Sequence, residues 1–414
     1  MKAQKVLFIG LVWPEPTSSA AGTRIIQLVN FFKERGFEVH FASAAQPSDF
    51  SFDLHNIGVK THQILLNHSS FNLWIKEFQP EIVVFDRFMI EEQYGWRVQQ
   101  ECPNTLRILD TEDLHFLRKA REAQQKAGRP FTDEALFSVE AKRETAAILR
   151  CDLSLIISEE EIKILTEKFK ISASILHYLP FLEKEITAEQ VQHWNSFEER
   201  EGYVFIGNFM HEPNWHTVKT LKTGIWPILR KLSAQASLHI YGSYPPQKAL
   251  QLQNKTDRFF VHGRADNAQS TIAKHRVLLA PITFGAGIKG KFIDAMQTGT
   301  PNVTTSVGAE SMHKGLPWGG FIENDWTAFC EKATLLHSDK EEWLKAQHNG
   351  TVILNSLYCK TDFEDLFLSR IKKIYHNLQQ HRQQNFIGEI LKHQSLQSTR
   401  YMSLWIEEKN KKRH

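Results

Sequence analysis

The segment Phe284-Gly-Ala-Gly-Ile-Lys-Gly-Lys291 gathers the residue types that an anionic ligand requires. Gly285, Gly287 and Gly290 let the backbone come close to a ligand, because no Cβ stands in the way. A helix is expected to follow and to run to a glycine stop at Gly299. Free N–H groups and the positive end of that helix favour a phosphate. Lys289 and Lys291 add the charge that suits a diphosphate. Asp294 stands three residues after Lys291, so both side chains share a helix face. One can hold phosphate while the other accepts hydrogen bonds from a ribose diol, which together suits a nucleoside diphosphate.

A second concentration of polar chemistry is Leu109-Asp-Thr-Glu-Asp-Leu-His-Phe-Leu-Arg118. Three acids and a histidine crowd the end of an apolar run that reads as a buried strand. In open α/β sheets, ligands collect beyond the carboxyl ends of strands. Asp110 and His115 are the catalytic candidates here, with Glu112 and Asp113 behind them. The 19 histidines are scattered, with no HxH or HxxxH pair joined to acids, so no metal site is expected.

The elements that must position these groups follow a rhythm of short apolar runs and amphipathic stretches. Val6–Gly10, Glu38–Ala42, Glu81–Phe85, Leu106–Asp110 and Leu153–Ile157 read as strands, with a helix over Thr23–Arg35. The charged segment Ala120–Leu149 reads as including one long helix over the cleft. The rhythm stops near Leu179–Lys184, and a polar, acidic linker follows over Glu185–Arg200. A second series begins with Tyr203–Gly207, Leu238–Gly242, Phe259–Gly263, Val277–Pro281 and Asn302–Thr305. Strands alternating with helices in this way predict parallel, doubly wound sheets. The expected fold is α/β, with two Rossmann-like parallel-sheet domains facing a central cleft. The expected domains are 1–182, 183–370 and a helical tail over 371–414 that crosses back or lies on the surface. The basic end Lys409-Asn-Lys-Lys-Arg-His414 reads as a solvated terminus.

Bulk properties agree with a folded, two-domain protein. The 414 residues suit two domains of roughly 200 residues each. Fifty basic and 47 acidic residues give a net charge of +3, which offers no bulk attraction for nucleic acid. Cys102, Cys151, Cys330 and Cys359 form no CxxC pair, so a reducing cytoplasm is the expected location. No stretch reaches about 18 uninterrupted apolar residues, so no membrane span is expected; peripheral membrane contact stays open. Gly10-Leu-Val-Trp-Pro and Gly207-Asn-Phe-Met lack the glycines of a dinucleotide-binding turn, which argues against a nicotinamide dehydrogenase.

The string from Pro281 to Thr305 resembles the donor motif of retaining glycosyltransferases of family 4, the group 1 type, which have the GT-B architecture. Its core here is GAGIKGK, followed by Asp294-Ala-Met and Gly299-Thr-Pro301. Phe205-Ile-Gly-Asn-Phe-Met-His-Glu-Pro-Asn214, Leu238–Ser243, Val261–Asp266 and Cys151–Glu160 resemble further motifs of that family in the right order. The resemblance covers most of residues 1–330 and is strongest over 203–312. It implies donor contacts from Gly207 and Asn208, from the backbone at Gly263 and Arg264 reading the base, and from Gly285, Ala286, Gly287, Ile288 and Asp294. Ser18-Ser-Ala-Ala-Gly-Thr-Arg24 resembles the family's first glycine-rich loop, with Gly22 leaving room for a ligand and Arg24 reaching into the cleft. Family members often carry two acids eight residues apart; here the second is Asp294 and the first position holds Ala286.

The implied activity is transfer of a sugar from a nucleotide donor, a UDP- or GDP-sugar, to an acceptor hydroxyl with retention. No other cofactor is implied, and Lys289 and Lys291 would neutralise the leaving diphosphate. The acceptor stays open among glycan, lipid, protein and small molecule. Two other readings of the same motifs are a GT-B nucleotide-sugar epimerase and a non-catalytic nucleotide-sugar-binding scaffold.

Overall fold

The computed structural model describes residues 4–411. The first sheet has seven strands: β1 (Lys5–Gly10), β2 (Glu38–Ser43), β3 (Lys60–Gln63), β4 (Ile82–Asp86), β5 (Leu106–Asp110), β6 (Leu153–Ile156) and β7 (Leu176–Tyr178). Their spatial order is β3-β2-β1-β4-β5-β6-β7, with every neighbouring pair parallel. The central strands are apolar along their length because helices cover both faces of the sheet. A six-stranded parallel sheet follows in the order β10-β9-β8-β11-β12-β13. Its strands are β8 (Tyr203–Ile206), β9 (Leu238–Tyr241), β10 (Phe259–Gly263), β11 (Val277–Ala280), β12 (Asn302–Thr304) and β13 (Gly320–Ile322). Two parallel α/β domains of this kind make the GT-B architecture.

Ten of these strands match the apolar runs of the sequence. β3, β7 and β13 were not expected; β3 reads Lys-Thr-His-Gln and has no apolar run to reveal it. The helix over Thr23–Arg35 starts earlier, at Ala20, because the Ser19 side chain caps it by accepting from the Gly22 amide at 3.1 Å. The single long helix expected within Ala120–Leu149 is instead two helices, His115–Lys126 and Val139–Arg150. Gly128, at φ +63°, and Pro130 end the first, and Ser138 caps the second through the Ala141 amide.

The chain crosses between the domains twice, and the crossings lie side by side. Glu183 pairs with Cys359, with hydrogen bonds of 2.8 Å from the Glu183 amide to Tyr358 and from the Lys360 amide to Glu183. The helix Lys360–His376 then returns to the first sheet, ahead of the boundary expected at 370. Its Phe367 is fully buried against Phe31, with ring centroids 4.8 Å apart, and against Phe32 at 6.1 Å. The last helix, Phe386–Lys411, also lies on the first domain, where Arg97 donates to Ser403 at 2.8 Å. Lys412, Arg413 and His414 of the basic end lie outside the described residues. Among those residues, no helix is long and apolar enough to cross a membrane.

Candidate functional site in the interdomain cleft

Both sheets direct their carboxyl ends at one cavity of about 800 Å³ lined by the two domains. Parallel strands make this happen, because every β-to-helix loop then opens on the same side. Of the residues singled out from sequence, Gly22, His115, Gly207, Asn208, Gly285, Ala286, Ile288, Lys289, Lys291 and Asp294 line the cavity. Arg24, Asp110, Gly263, Arg264 and Gly287 do not, and each has a physical reason.

Asp110 and Arg24 form a buried ion pair beneath the cleft, 0% and 1% exposed. Arg24 Nε donates to both carboxylate oxygens at 2.9 and 3.1 Å, and its Nη1 donates to the carbonyls of Leu179 and Pro180. The pair ties the interdomain crossing to the first sheet. Gly263 ends β10, and its carbonyl accepts from the Gly242 amide at 2.7 Å. Arg264 lies over the Phe50 ring at 4.3 Å and donates to Thr17 Oγ1 at 2.6 Å, clasping the first domain. Gly287 gives its N–H to Glu161 at 2.9 Å, so that amide is not free for phosphate. A Cβ on Gly287 would come within 2.9 Å of the Asp113 Cβ, and its φ of +61° is itself unfavourable to other residues.

The phosphate candidates Lys289 and Lys291 both line the cavity. The helix Gly290–Gln297 begins in the cleft, and a Cβ on Gly290 would meet the Cβ of Ala20 at 2.6 Å. Ala20 begins the helix Ala20–Glu34, so two helix starts, each a positive end, meet in this region. The two lysines differ. Lys291 Nζ points to Asn214 Oδ1 at 3.0 Å, whereas Lys289 Nζ turns back to the Gly287 carbonyl at 2.9 Å. Burial pushes both ammonium groups down to about 8; Lys289 lowers Lys291 further, and Glu310 opposes the fall at Lys289. Asn214 is held by donating to the Asn208 carbonyl at 2.9 Å. Asp294, raised to about 6 by burial, accepts from Gln269 at 3.2 Å.

On the opposite wall, His115 stands 3.5 Å from Asp113, yet burial lowers it to about 4, so it is neutral at pH 7. Despite its own burial, Asp113 is held below the usual carboxylate range by Arg118, whose Nε donates at 2.7 Å. Behind the loop 284–288, Arg121 grips Glu310 at 2.7 and 2.8 Å and donates to the Gly285 carbonyl at 2.8 Å. Asn214, Gln269 and Arg118 were not chosen from sequence. Asn214 and Arg118 left a signal there, as the last residues of the segments beginning at Phe205 and Leu109; Gln269 left none. Among the described residues, no group of three or more His, Cys, Asp or Glu is arranged to hold a metal ion.

Residues 200–339 match the family described as "Glycosyl transferases group 1". No curated protein matches the sequence. Solved structures similar to the chain include sucrose-phosphate synthase from Thermosynechococcus elongatus, at 16% identity and TM-score 0.67 over 90% of this chain and 100% of that one. Anabaena HepE in complex with UDP gives 9% identity and TM-score 0.65 over 89% and 100%. The catalytic domain of starch synthase IV from Arabidopsis thaliana, bound to ADP and acarbose, gives 14% and 0.60 over 90% and 100%. With the two facing parallel-sheet domains and the matched segment in the second, the chain is an enzyme of the glycosyltransferase class with a GT-B fold and a group 1 glycosyl transferase domain.

Proposed function

We propose that this enzyme moves a sugar from a nucleoside diphosphate, a UDP- or GDP-sugar, to an acceptor hydroxyl, with retention and in the manner of family 4. The observation that carries the reading is the meeting of Lys289, Lys291 and two helix starts in one cleft between the domains. In the reaction, the bond between the anomeric carbon and the diphosphate oxygen breaks and negative charge gathers on the leaving group. Lys291 and the amides at the start of Gly290–Gln297 stabilise that charge as it forms. The acceptor oxygen bonds to the anomeric carbon on the same face, and its proton passes to the departing phosphate oxygen. Asp294, oriented by Gln269, accepts from the ribose hydroxyls.

The lysines and helix starts supply the positive charge, so the reading is metal-independent. The second domain serves the donor and the first the acceptor, which is a glycan, lipid, protein or small molecule rather than nucleic acid. The free cysteines suit a reducing, cytoplasmic setting.

A thermal-shift panel of UDP-, GDP- and dTDP-sugars tests the donor class. The matching donor at a hundred times its Kd adds about 2.7 kcal/mol of stability, and no shift with any of them refutes the reading. Product analysis with donor alone then separates transfer from epimerisation, because an epimerase converts its donor without an acceptor. Lys291 also predicts a pH dependence. A diphosphate binds its protonated amine, whose value of about 8 rises on binding. Affinity therefore falls as pH climbs through about 8, and binding near that pH takes up protons. Titration calorimetry in buffers of different ionisation enthalpy measures the uptake; a signal independent of buffer contradicts it.

A further inference from the structure

A sugar lying beyond the diphosphate would pass along Phe284-Gly-Ala-Gly-Ile288, none of whose side chains carries a hydrogen-bonding group. Its hydroxyls need partners from elsewhere, because burying a hydroxyl unpaired is costly. The first domain meets this loop where Gly287 abuts Asp113. Glu112, the preceding residue, lines the same cavity as Phe284, Ala286 and Ile288.

Three observations set Glu112 apart. Its Oε1 is buried and has no hydrogen-bond partner, although buried polar atoms are nearly always paired. Its backbone is left-handed, at φ +63°, an unfavourable conformation for a glutamate. The flanking residues hold that conformation. The Thr111 amide and hydroxyl both donate to the Leu155 carbonyl, at 3.3 and 2.9 Å, and the Leu114 amide donates to Glu161 at 2.9 Å.

We infer that the Glu112 carboxyl hydrogen-bonds a hydroxyl of the donor's sugar, supplying from the first domain the polar group that the loop 284–288 lacks. The inference rests on the donor-site reading above. Arg24 from the first helix, Asp86 and Arg87 at the end of β4, and Asp110 at the end of β5 are the charged groups around this carboxyl. Arg24 is occupied by Asp110. Burial, with Asp110 next, holds Glu112 well above the usual carboxylate range. That shift favours the neutral carboxyl, which can donate as well as accept. A backbone held in advance by its neighbours' hydrogen bonds loses little freedom when the sugar arrives.

The test uses the full chain and calorimetric titration with UDP-glucose, UDP-N-acetylglucosamine or GDP-mannose, whichever binds the wild type tightest, against its own nucleoside diphosphate. Glu112→Gly removes the carboxyl and relaxes the backbone. It is expected to bind the nucleotide-sugar about 10-fold more weakly, to bind the nucleoside diphosphate unchanged, and to keep its melting temperature. Glu112→Gln retains hydrogen bonding and is expected to stay within about threefold of the wild type. Should the glycine variant fold poorly, Glu112→Asn suits the left-handed backbone and carries the same measurement. Wild-type affinity for the nucleotide-sugar in the shortened variant, or an equal loss for both ligands, overturns the inference while the donor site stands. A wild-type chain that binds neither ligand refutes the donor-site reading, and this inference falls with it.

Discussion

Lys291→Ala is expected to lower turnover of the nucleotide-sugar by about 10²- to 10³-fold, the usual cost of removing one group aimed at charge that develops in the transition state. The geometry explains why Lys291 matters more than its neighbour. Its ammonium reaches the cleft beside Asn214, at the start of the helix Gly290–Gln297, where the helix end adds to its field. Lys289 turns its ammonium to a loop carbonyl within reach of the charge on Glu310. Lys289→Ala should therefore act by loosening the loop, raising KM more than it lowers kcat. Lys291→Ala should lower kcat and weaken nucleoside diphosphate binding together, because charge stabilised at the leaving group is needed most as the bond breaks. Steady-state kinetics and calorimetry on both variants check this. Undiminished turnover and binding in Lys291→Ala would remove the residue from any phosphate role.

The largest effect on stability is expected at Arg24→Met. Taking one partner from a buried ion pair leaves an uncompensated charge, at a cost of about 3–5 kcal/mol. Here the stranded group is Asp110, fully buried at the end of β5. The Leu179 and Pro180 carbonyls lose their donor as well. At roughly 2–4 °C per kcal/mol for domains of this size, the melting temperature should drop by about 6–20 °C. Asp110→Asn should fall in the same direction. Because neither side chain lines the cleft, turnover per folded molecule at low temperature should be close to that of the wild type. Scanning calorimetry and assays at low temperature separate the two effects. Normal stability with lost turnover would restore Asp110 to the catalytic role that its sequence position suggests.

The contrast between these residues shows what a sequence reveals and what it hides. The loop Gly285–Lys291 stood out because its residue types are local: glycines, lysines and a helix start lie within one short segment. The sheets were legible where strands are buried on both faces, as in Ile82–Asp86 and Val277–Ala280. β3 was hidden because an edge strand needs no apolar run, and β13 because its three residues are only partly buried. Asp110 looked catalytic because strand ends gather ligands, but its partner Arg24 lies 86 residues away. Distant partners likewise occupy Gly287, through Glu161, and Arg264, through Thr17. Local spacing identifies groups capable of chemistry; long-range contacts decide which of them are left free to perform it.

The return of the chain to the first domain bears on how the protein is made. The aromatic surface formed by Phe31 and Phe32 receives Phe367 only after the whole second domain has been synthesised. The ribosome therefore releases the first sheet with an exposed greasy pocket, and the second domain has time to fold before that pocket is filled. Contacts so distant in sequence close slowly, and an open aromatic pocket in the meantime invites association with other nascent chains. For this protein, the late helix Lys360–His376 acts as the stopper that closes over a helix made some 330 residues earlier.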